Sequence, residues 1–452
     1  MGLAVTQASS DEMRLETLVV GLGATGLACA RFLASRGEQF AIADSRENPP
    51  GIDVLKREFP DIEYHCGEFD AALFQRANRL LLSPGVAPQH PAIVAAIDAG
   101  IEVLGDIELF ARNADAPVVA ITGSNGKSTV TTLVGEMAKA AGRDVRVGGN
   151  IGTQALELLQ DSTPDLYVLE LSSFQLEVTR SLNAAAAVVL NISEDHLDRH
   201  GSVEHYAAIK QTIYSGDGVV VLNHDDVVVM AMRPDGRDVI TFGLDNAEGF
   251  GLLLCEGETF LARDGEALLN VHEMKMPGRH NWSNALAALA LGDAVGLEMA
   301  AMLKVLREFP GLPHRCQWVA EQNGVNYYED SKGTNVGATL AALAGLPGEK
   351  VVLIAGGQAK GQDFSPLKTV VAKRARAVVL IGEDARVIEK ALLRAAPLVM
   401  AADMSDAVTK ARKLAKAGDS VLLSPACASF DMFANYIARG EAFISAVKEG
   451  AK

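Results

Sequence analysis

A chain of 452 residues, 49% of them hydrophobic, exceeds what one ordinary core can hold, so two or three domains are expected. Its formal net charge of −16 argues against a nucleic-acid binder, because phosphate backbones repel an acidic surface and no basic stripe compensates. Cys29, Cys66, Cys255, Cys316 and Cys427 are odd in number and include no Cys-x-x-Cys pair, which supports neither a disulfide framework nor a zinc knuckle and fits a reducing cytoplasm.

The longest apolar stretches, such as 184–192, fall short of the roughly 20 residues that a bilayer requires, so no membrane span is expected. The start, Met1-Gly2-Leu3-Ala4-Val5-Thr6, matches an N-myristoylation pattern, but no polybasic patch follows to supply a second anchoring signal, and it reads as a coincidental extension. Asn191-Ile192-Ser193 and Asn281-Trp282-Ser283 are glycosylation triplets by pattern alone, without meaning in a cytoplasmic chain.

Strand-like runs at 17–20, 40–43, 79–82, 118–121, 166–170, 186–192, 351–355, 377–381 and 420–423 alternate with helical patterns, which predicts parallel α/β sheets. Strand, glycine-loop and helix units restart at Val19, Val119 and near Val351, giving three blocks at 1–106, 107–311 and 312–452. The polar stretch 216–276, with turns at Asp217-Gly218 and Asp264-Gly265, is expected to form hairpins inserted in the middle block. Ligand groups should gather at strand ends, where open α/β sheets place them.

In the first block, Gly21-x-Gly23-x-x-Gly26 follows a strand and opens a helix, with Asp44 at the end of the next strand. The glycines permit a tight turn and close approach of a pyrophosphate to the helix start, while the acid can accept from a ribose or base donor. NAD is the conventional ligand, any nucleoside diphosphate conjugate offers the same groups, and a close-packed turn that binds nothing is the bland alternative. Ser83-Pro84-Gly85 ends another strand and could close over the ligand.

In the middle block, Thr122-Gly123-Ser124-Asn125-Gly126-Lys127-Ser128 reads as strand end, phosphate-cradling loop and helix start, in a shorter form than the usual loop because Ile121 stands at its first glycine. Small residues let backbone N–H groups close around phosphate oxygens, Lys127 adds a point charge, and Ser128 or Thr129 can offer a hydroxyl to Mg²⁺. Glu170 and His196 lie at or just beyond neighbouring strand ends and should face the loop carrying Lys127, a carboxylate and a neutral imidazole suited to Mg²⁺ sites. The alternatives are a helix cap among the neighbours of Glu170 and a surface role for His196. Lys210, on the helical stretch 204–214, reads as a solvated lysine. After Pro277-Gly278, Asn281 reads as the cap of an Ala-rich helix, and Asn284 has no role by itself.

With these residues assembled, nearly the whole chain resembles the Mur ligase family of ATP-dependent amide-forming enzymes. The resemblance rests on Gly-Leu-Gly-Ala-Thr-Gly at 21–26, Ser-Pro-Gly at 83–85, Thr-Gly-Ser-Asn-Gly-Lys-Ser-Thr at 122–129, Gly-Gly-Asn-Ile-Gly at 148–152 and Leu-Glu-Leu-Ser-Ser-Phe-Gln-Leu-Glu at 169–177. It extends through Asn-Ile-Ser-Glu-Asp-His-Leu-Asp at 191–198, His-Arg at 314–315, Asp-Ser-Lys-Gly-Thr-Asn at 330–335 and Leu-Leu-Ser-Pro-Ala-Cys-Ala-Ser-Phe-Asp at 422–431. The resemblance implies three α/β domains: a Rossmann-like domain for a UDP substrate, a central ATP-binding domain of the P-loop type and a Rossmann-like amino-acid-binding domain. It implies addition of D-glutamate to UDP-N-acetylmuramoyl-L-alanine through an acyl phosphate, by a monomer with no nucleic-acid or membrane partner.

Carried over by position, Gly123, Ser124, Asn125, Gly126, Lys127, Ser128, Thr129, Asn281, Asn284, Arg315 and Asp330 would hold ATP. Ser128, Glu170 and His196 would serve two Mg²⁺ ions, with Lys210 as a CO₂-derived carbamate. Ala24, Thr25, Asp44, Ser45, Arg46, Gly85 and Asn150 would recognise the uridine diphosphate, and Thr334, Lys360, Ser429, Phe430 and Tyr436 the D-glutamate. Ser45, Ala24 and Tyr436 stand where Thr, a larger apolar residue and Phe are familiar, and Gln358 where an Asp often precedes the lysine. The absence of an Asp-Asn-Pro-Arg signature, carried by relatives that add diaminopimelate, favours D-glutamate. A ligase adding another amino acid, a nicotinamide-dependent dehydrogenase resting on the first glycine motif, and a nucleotide switch without ligation are the competing readings.

Overall fold

The computed structural model describes residues 14–160, 162–276, 278–346 and 348–449. The Met1–Thr6 pattern and Pro277 of the expected turn lie outside the described residues. The chain divides into two compact units. One takes the residues up to Pro117 with Arg146–Asp165 and Leu169–Asn183; the other takes Val118–Val145, Leu166–Val168 and the chain from Ala184 onward.

In the first unit, strands β1 (Leu15–Val20), β2 (Phe40–Asp44), β3 (Tyr64–Cys66), β4 (Ala77–Leu82) and β5 (Glu102–Gly105) form a parallel sheet in the order β3-β2-β1-β4-β5. Leu18, Val19, Val20, Ala41 and Ile42 are fully buried, as expected of central strands covered on both faces, and this explains the continuous apolar runs. β3 and β5 escape the sequence pattern because they are short and partly exposed.

In the second unit, β6 (Val118–Thr122) leads into the helix Lys127–Ala140. The chain then passes between the units through β7 (Val145–Gly149) and β8 (Leu166–Glu170). β9 (Ala186–Val189), β10 (Val219–Asn223) and β11 (Val239–Phe242) continue the parallel sheet from β6, and β12 (Phe250–Cys255), β13 (Glu258–Arg263) and β14 (Glu266–Asn270) add an antiparallel meander. The expected hairpins therefore occupy only the later part of 216–276. Glu256-Gly257 and Asp264-Gly265 make their two-residue turns, with φ of 53°, 86°, 49° and 81°, the left-handed pairs whose twist suits a hairpin. The earlier part forms β10 and β11 instead, because the buried run Val220–Leu222 belongs inside a parallel sheet.

The strand expected at 186–192 ends at Val189. Beyond it the backbone still pairs, Leu190 N donating to the Thr122 carbonyl and Ser124 N to that of Asn191, while the Asn191 side chain grips the glycine loop: its Oδ1 accepts from Asn125 N at 2.8 Å, and its Nδ2 donates to the Asn125 carbonyl at 3.1 Å.

The last sheet comprises β15 (Gln317–Gln322), β16 (Val325–Glu329), β17 (Val351–Gly356), β18 (Ala375–Ile381), β19 (Leu398–Met400) and β20 (Ser420–Leu423), in the order β15-β16-β20-β17-β18-β19. Only β15 runs antiparallel to its neighbour. Alternate residues of β17 feed two cores, Val351, Leu353 and Ala355 one face, Val352 and Ile354 the other. No described helix is long and apolar enough to cross a membrane, and all five cysteines are free thiols.

Candidate active site

The loop between β6 and the helix Lys127–Ala140 has the geometry of an anion cradle. Gly123 and Gly126 take φ of 147° and 86°, and a Cβ on Gly126 would stand 2.5 Å from Asn284 Oδ1, so side chains are excluded there for two reasons. Lys127 Nζ donates to the carbonyls of Gly123 at 2.7 Å and Ser124 at 3.0 Å, folding its charge over its own loop. Ser124, also buried, exchanges hydrogen bonds with the backbone of Ser193 and meets Tyr206 Oη at 3.2 Å.

Lys210 overturns the reading of a solvated helix lysine. It is 1% exposed, its Nζ donates to Thr122 Oγ1 at 3.0 Å, and it lies 4.7 Å from the centroid of the Tyr206 ring. Tyr206 and Lys210 are one turn apart on the helix Val203–Gln211, so one helical face supports the loop from below. Sequence reasoning had no role for Tyr206, because its contact with Ser124 joins residues 82 apart.

His196 takes φ 54° in the left-handed region, and burial holds its imidazole toward the neutral form, the charges of Lys360 and Lys127 adding to this against the opposing effect of Asp195. The neutral ring is the form that presents a lone pair to a cation.

Asn281 is not a helix cap. The helix Arg279–Ala294 begins after Gly278, whose φ of 98° makes the turn, and Asn281 is already its third residue. Asn284 Nδ2 donates to Asn281 Oδ1 at 3.2 Å, and both amides face one cavity of about 830 Å³ with Asn125, Gly126, Thr129, Arg315 and Asp330. That volume suits a nucleotide. Gly123, Ser124, Lys127 and Ser128 are not part of this lining. Arg315 Nη2 donates to Ser128 Oγ at 2.7 Å, spanning 187 residues of sequence. It is aimed by a strained turn: His314 and Cys316 on either side have φ of 62° and 46°, and His314 Nδ1 is 2.7 Å from Glu329 Oε2. Burial pushes Asp330 up to about 7, while Ser424 Oγ donates to it at 2.7 Å.

The proposed amino-acid residues sit on adjoining loops. Gln362 Nε2 donates to the carbonyls of Ala359 and Ala426, and Gln358 and Ala428 exchange backbone hydrogen bonds, which draws the loop of Lys360 against that of Ser429 and Phe430. Thr334 joins them through the Ala426 N–H, which donates to the neighbouring Gly333 carbonyl. Ser429 is buried and Phe430 exposed. Tyr436 meets Lys332 Nζ at 4.0 Å and His314 edge-on. Buried Arg439, which the motifs did not flag, donates to the carbonyls of Ser331, Cys427 and Ala428 and so ties two of these loops together.

In the first unit, Ala24, Thr25, Asp44, Ser45, Arg46, Gly85 and Asn150 all line one cavity of about 530 Å³. Gly26 must be glycine, since a Cβ would fall 1.9 Å from the Gly21 carbonyl. Asp44 is already engaged: Leu22 N donates to it at 2.7 Å, and the Arg46 backbone and guanidinium take its remaining acceptor positions. Burial opposes its ionisation, but these hydrogen bonds outweigh burial and hold the carboxyl below its usual range. Its contribution is to fix the glycine loop and aim Arg46. Gln154 and Gln175 also line the cavity, Gln154 accepting from Thr25 Oγ1 at 2.8 Å.

Glu170, in the same unit, is buried. Its Oε1 accepts from Asn150 Nδ2 at 2.7 Å, and its Oε2 is buried without a hydrogen-bond partner among the described residues. The expected capping role in its neighbourhood is also present, since Ser172 caps a short helix with Gln175 in a reciprocal box.

Gln175 is steered by Asp106, to which it donates at 3.1 Å, and burial raises the Asp106 carboxyl to about 6. The native state therefore holds a proton that the unfolded chain releases near pH 4, so this group lowers stability progressively from about pH 4 to about pH 6 and by a constant amount above. Asp106→Asn keeps an acceptor for Gln175 and removes the buried charge, so it should stabilise by about 2–3 kcal/mol at pH 8. The difference in melting free energy between the two proteins should widen over pH 4–6; parallel profiles would refute the assignment.

Residues 15–105, 121–292 and 314–427 match the family models for the Mur ligase MurD-like N-terminal domain, the Mur ligase middle domain and the Mur ligase glutamate ligase domain. A UDP-N-acetylmuramoylalanine--D-glutamate ligase of Nitrosococcus oceani is 55% identical over 436 residues, covering 96% of each chain. The chain belongs to the Mur ligase family. Another ligase of the same name, from Pseudomonas putida, is 53% identical over 449 residues, 98% of this chain and 99% of that protein. Among solved structures, a pseudomurein peptide ligase type C from Methanothermus fervidus shares the fold at a TM-score of 0.60 and 19% identity, covering 97% of this chain and all of that one.

Each of the two units of this Mur ligase holds an oxygen donor of the hard kind that magnesium takes. In the first unit Glu170 has a buried carboxylate oxygen, in the second Ser128 has a hydroxyl held by Arg315, and among the described residues no group of three His, Cys, Asp or Glu side chains is placed to hold a metal ion. Few protein oxygens completed by phosphate is the usual arrangement for this ion.

Proposed function

We propose that this chain adds D-glutamate to UDP-N-acetylmuramoyl-L-alanine in peptidoglycan precursor synthesis, with ATP converted to ADP and phosphate. The observation that carries this reading is 52–55% identity over nearly the full length to proteins named for that reaction, and the chemistry of the two cavities supports it.

A carboxylate resists attack by an amine until it is activated. Its oxygen takes the γ-phosphoryl group of ATP and ADP leaves; the amine nitrogen then bonds to the carbonyl carbon of the acyl phosphate, the carbon–oxygen bond to phosphate breaks, and inorganic phosphate and a proton are released. Lys127 and the loop N–H groups hold the triphosphate and stabilise charge on the transferring oxygens. Asn281, Asn284, Arg315 and Asp330 place the rest of the nucleotide. Ser128, Glu170 and His196 would hold magnesium, two ions in this reading, which when bound neutralises phosphate charge. Lys210 as a carbamate would set an anion below the loop. Asp44 aims Arg46 at the uridine diphosphate, alongside Ala24, Thr25, Ser45, Gly85 and Asn150, and Lys360 pairs with a carboxylate of D-glutamate beside Thr334, Ser429, Phe430 and Tyr436. The three functional blocks are 1–106, 107–311 and 312–452, in a cytoplasmic monomer whose third block closes after nucleotide binds.

Phosphate release in the presence of UDP-N-acetylmuramoyl-L-alanine and ATP, measured across a panel of D- and L-amino acids, tests the reading. Release should depend on D-glutamate. Equal release with another amino acid, or release needing none, would overturn it.

A further inference from the structure

We infer that Asn335 is a positioning residue that links the amino-acid side of the site to the segment carrying His196. The inference rests on the function proposed above. Asn335 directly follows Thr334 and caps the helix Val336–Gly345, its Oδ1 accepting from Ala338 N at 2.8 Å. Its Nδ2 donates to Asp195 Oδ2 at 3.1 Å, across 140 residues of sequence. The other oxygen of Asp195 accepts from His196 N at 3.0 Å and lies 3.7 Å from its Nε2. One line of hydrogen bonds thus runs from the start of that helix to a histidine backbone held in the left-handed region.

Capping alone does not call for asparagine here, because Asp, Ser and Thr also cap well. Only asparagine caps with its oxygen and still has N–H groups to give a carboxylate; aspartate would face Asp195 with a second acceptor, and serine would fall short. Asn335 is 3% exposed, so water cannot substitute readily. Gly337, in the first helical turn, supplies an independent sign that this end of the helix is seated closely: a Cβ there would lie 2.8 Å from Ser193 Oγ and 3.1 Å from Asn125 Nδ2. Seating the helix that follows Thr334 and orienting His196 are therefore one event.

The test uses the full chain with all three substrates. Asn335→Asp keeps the cap but turns the donor into an acceptor, so kcat should fall about 10- to 100-fold, the range of a lost hydrogen bond to a charged group, with the melting temperature within about 3 °C. Asn335→Ser, which also keeps a cap, should lose a similar factor. The exchange Asp195→Asn with Asn335→Asp reverses donor and acceptor while conserving charge, and should recover at least about tenfold over Asn335→Asp. Rescue of this kind is not expected of a residue that only stabilises the helix. Turnover of Asn335→Asp within about threefold of the parent, no recovery in the exchange, or losses that follow a lowered melting temperature in both single variants would each overturn the inference. If the unaltered chain shows no D-glutamate-dependent phosphate release, the proposed function fails instead and takes this inference with it.

Discussion

Lys127→Ala is expected to abolish ADP release, with a loss on the order of 10³-fold or more, the effect of removing a preorganised charge from a transferring phosphoryl group. In the structure Nζ donates to two neutral carbonyls, those of Gly123 and Ser124. A phosphate oxygen offers a full negative charge in their place, so the lysine should move to the ligand when the loop is filled. Removing it leaves two partly buried carbonyls that water can reach, and the melting temperature should fall by no more than a few degrees. The separate cavity of the first unit contains no part of this loop, so UDP-N-acetylmuramoyl-L-alanine should bind with an affinity close to that of the parent by calorimetry. Unchanged turnover would remove Lys127 from phosphate chemistry. Loss of UDP-substrate binding along with turnover would point to general unfolding instead.

What could be read from the sequence follows from how locally each feature is determined. The runs 18–20 and 351–355 announce their strands because burial on both faces leaves no polar position. β3 and β19, three residues each and only partly covered, and β15, with Trp318 exposed, carry no comparable pattern. Glycine loops were legible for a similar reason: φ of 99° at Gly21 and 86° at Gly126 is a local demand that only a few residue types meet. Lys210 and Asn281 were misread because their surroundings are tertiary. A lysine on a short polar helix gives no sign that Thr122 and Tyr206 will enclose it, and an Asn after Pro-Gly looks like a cap until Gly278 is found to make the turn alone. Asp44 was found by its spacing, yet its partners, Leu22 and Arg46, show that it orders the cavity more than it presents a free acceptor. Arg439 belongs to none of the motifs, and Gln175, inside the motif at 169–177, has no role by its type alone; their importance comes from which segments they join.

Lys210→Ala should lose activity by about 10²- to 10³-fold, and part of that loss should return with added short carboxylates. The physical case begins with burial: a lysine that is 1% exposed gives up hydration, and a charge out of water is costly. Carbamylation would exchange that buried cation for an anion able to accept hydrogen bonds and to balance positive charge near the loop. The Ala variant leaves a void roughly the size of the lost side chain beneath Thr122, into which formate or acetate could carry the missing negative charge. Recovery should rise and saturate with carboxylate concentration, should fall off as the acid outgrows the void, and should be absent with chloride at equal ionic strength. A Lys210→Arg variant, charged but unable to form the carbamate, should stay inactive and show no rescue. If formate and acetate restore nothing while the folded state is intact, the lysine acts as a cation bonded to Thr122, and the carbamate has no part in this enzyme.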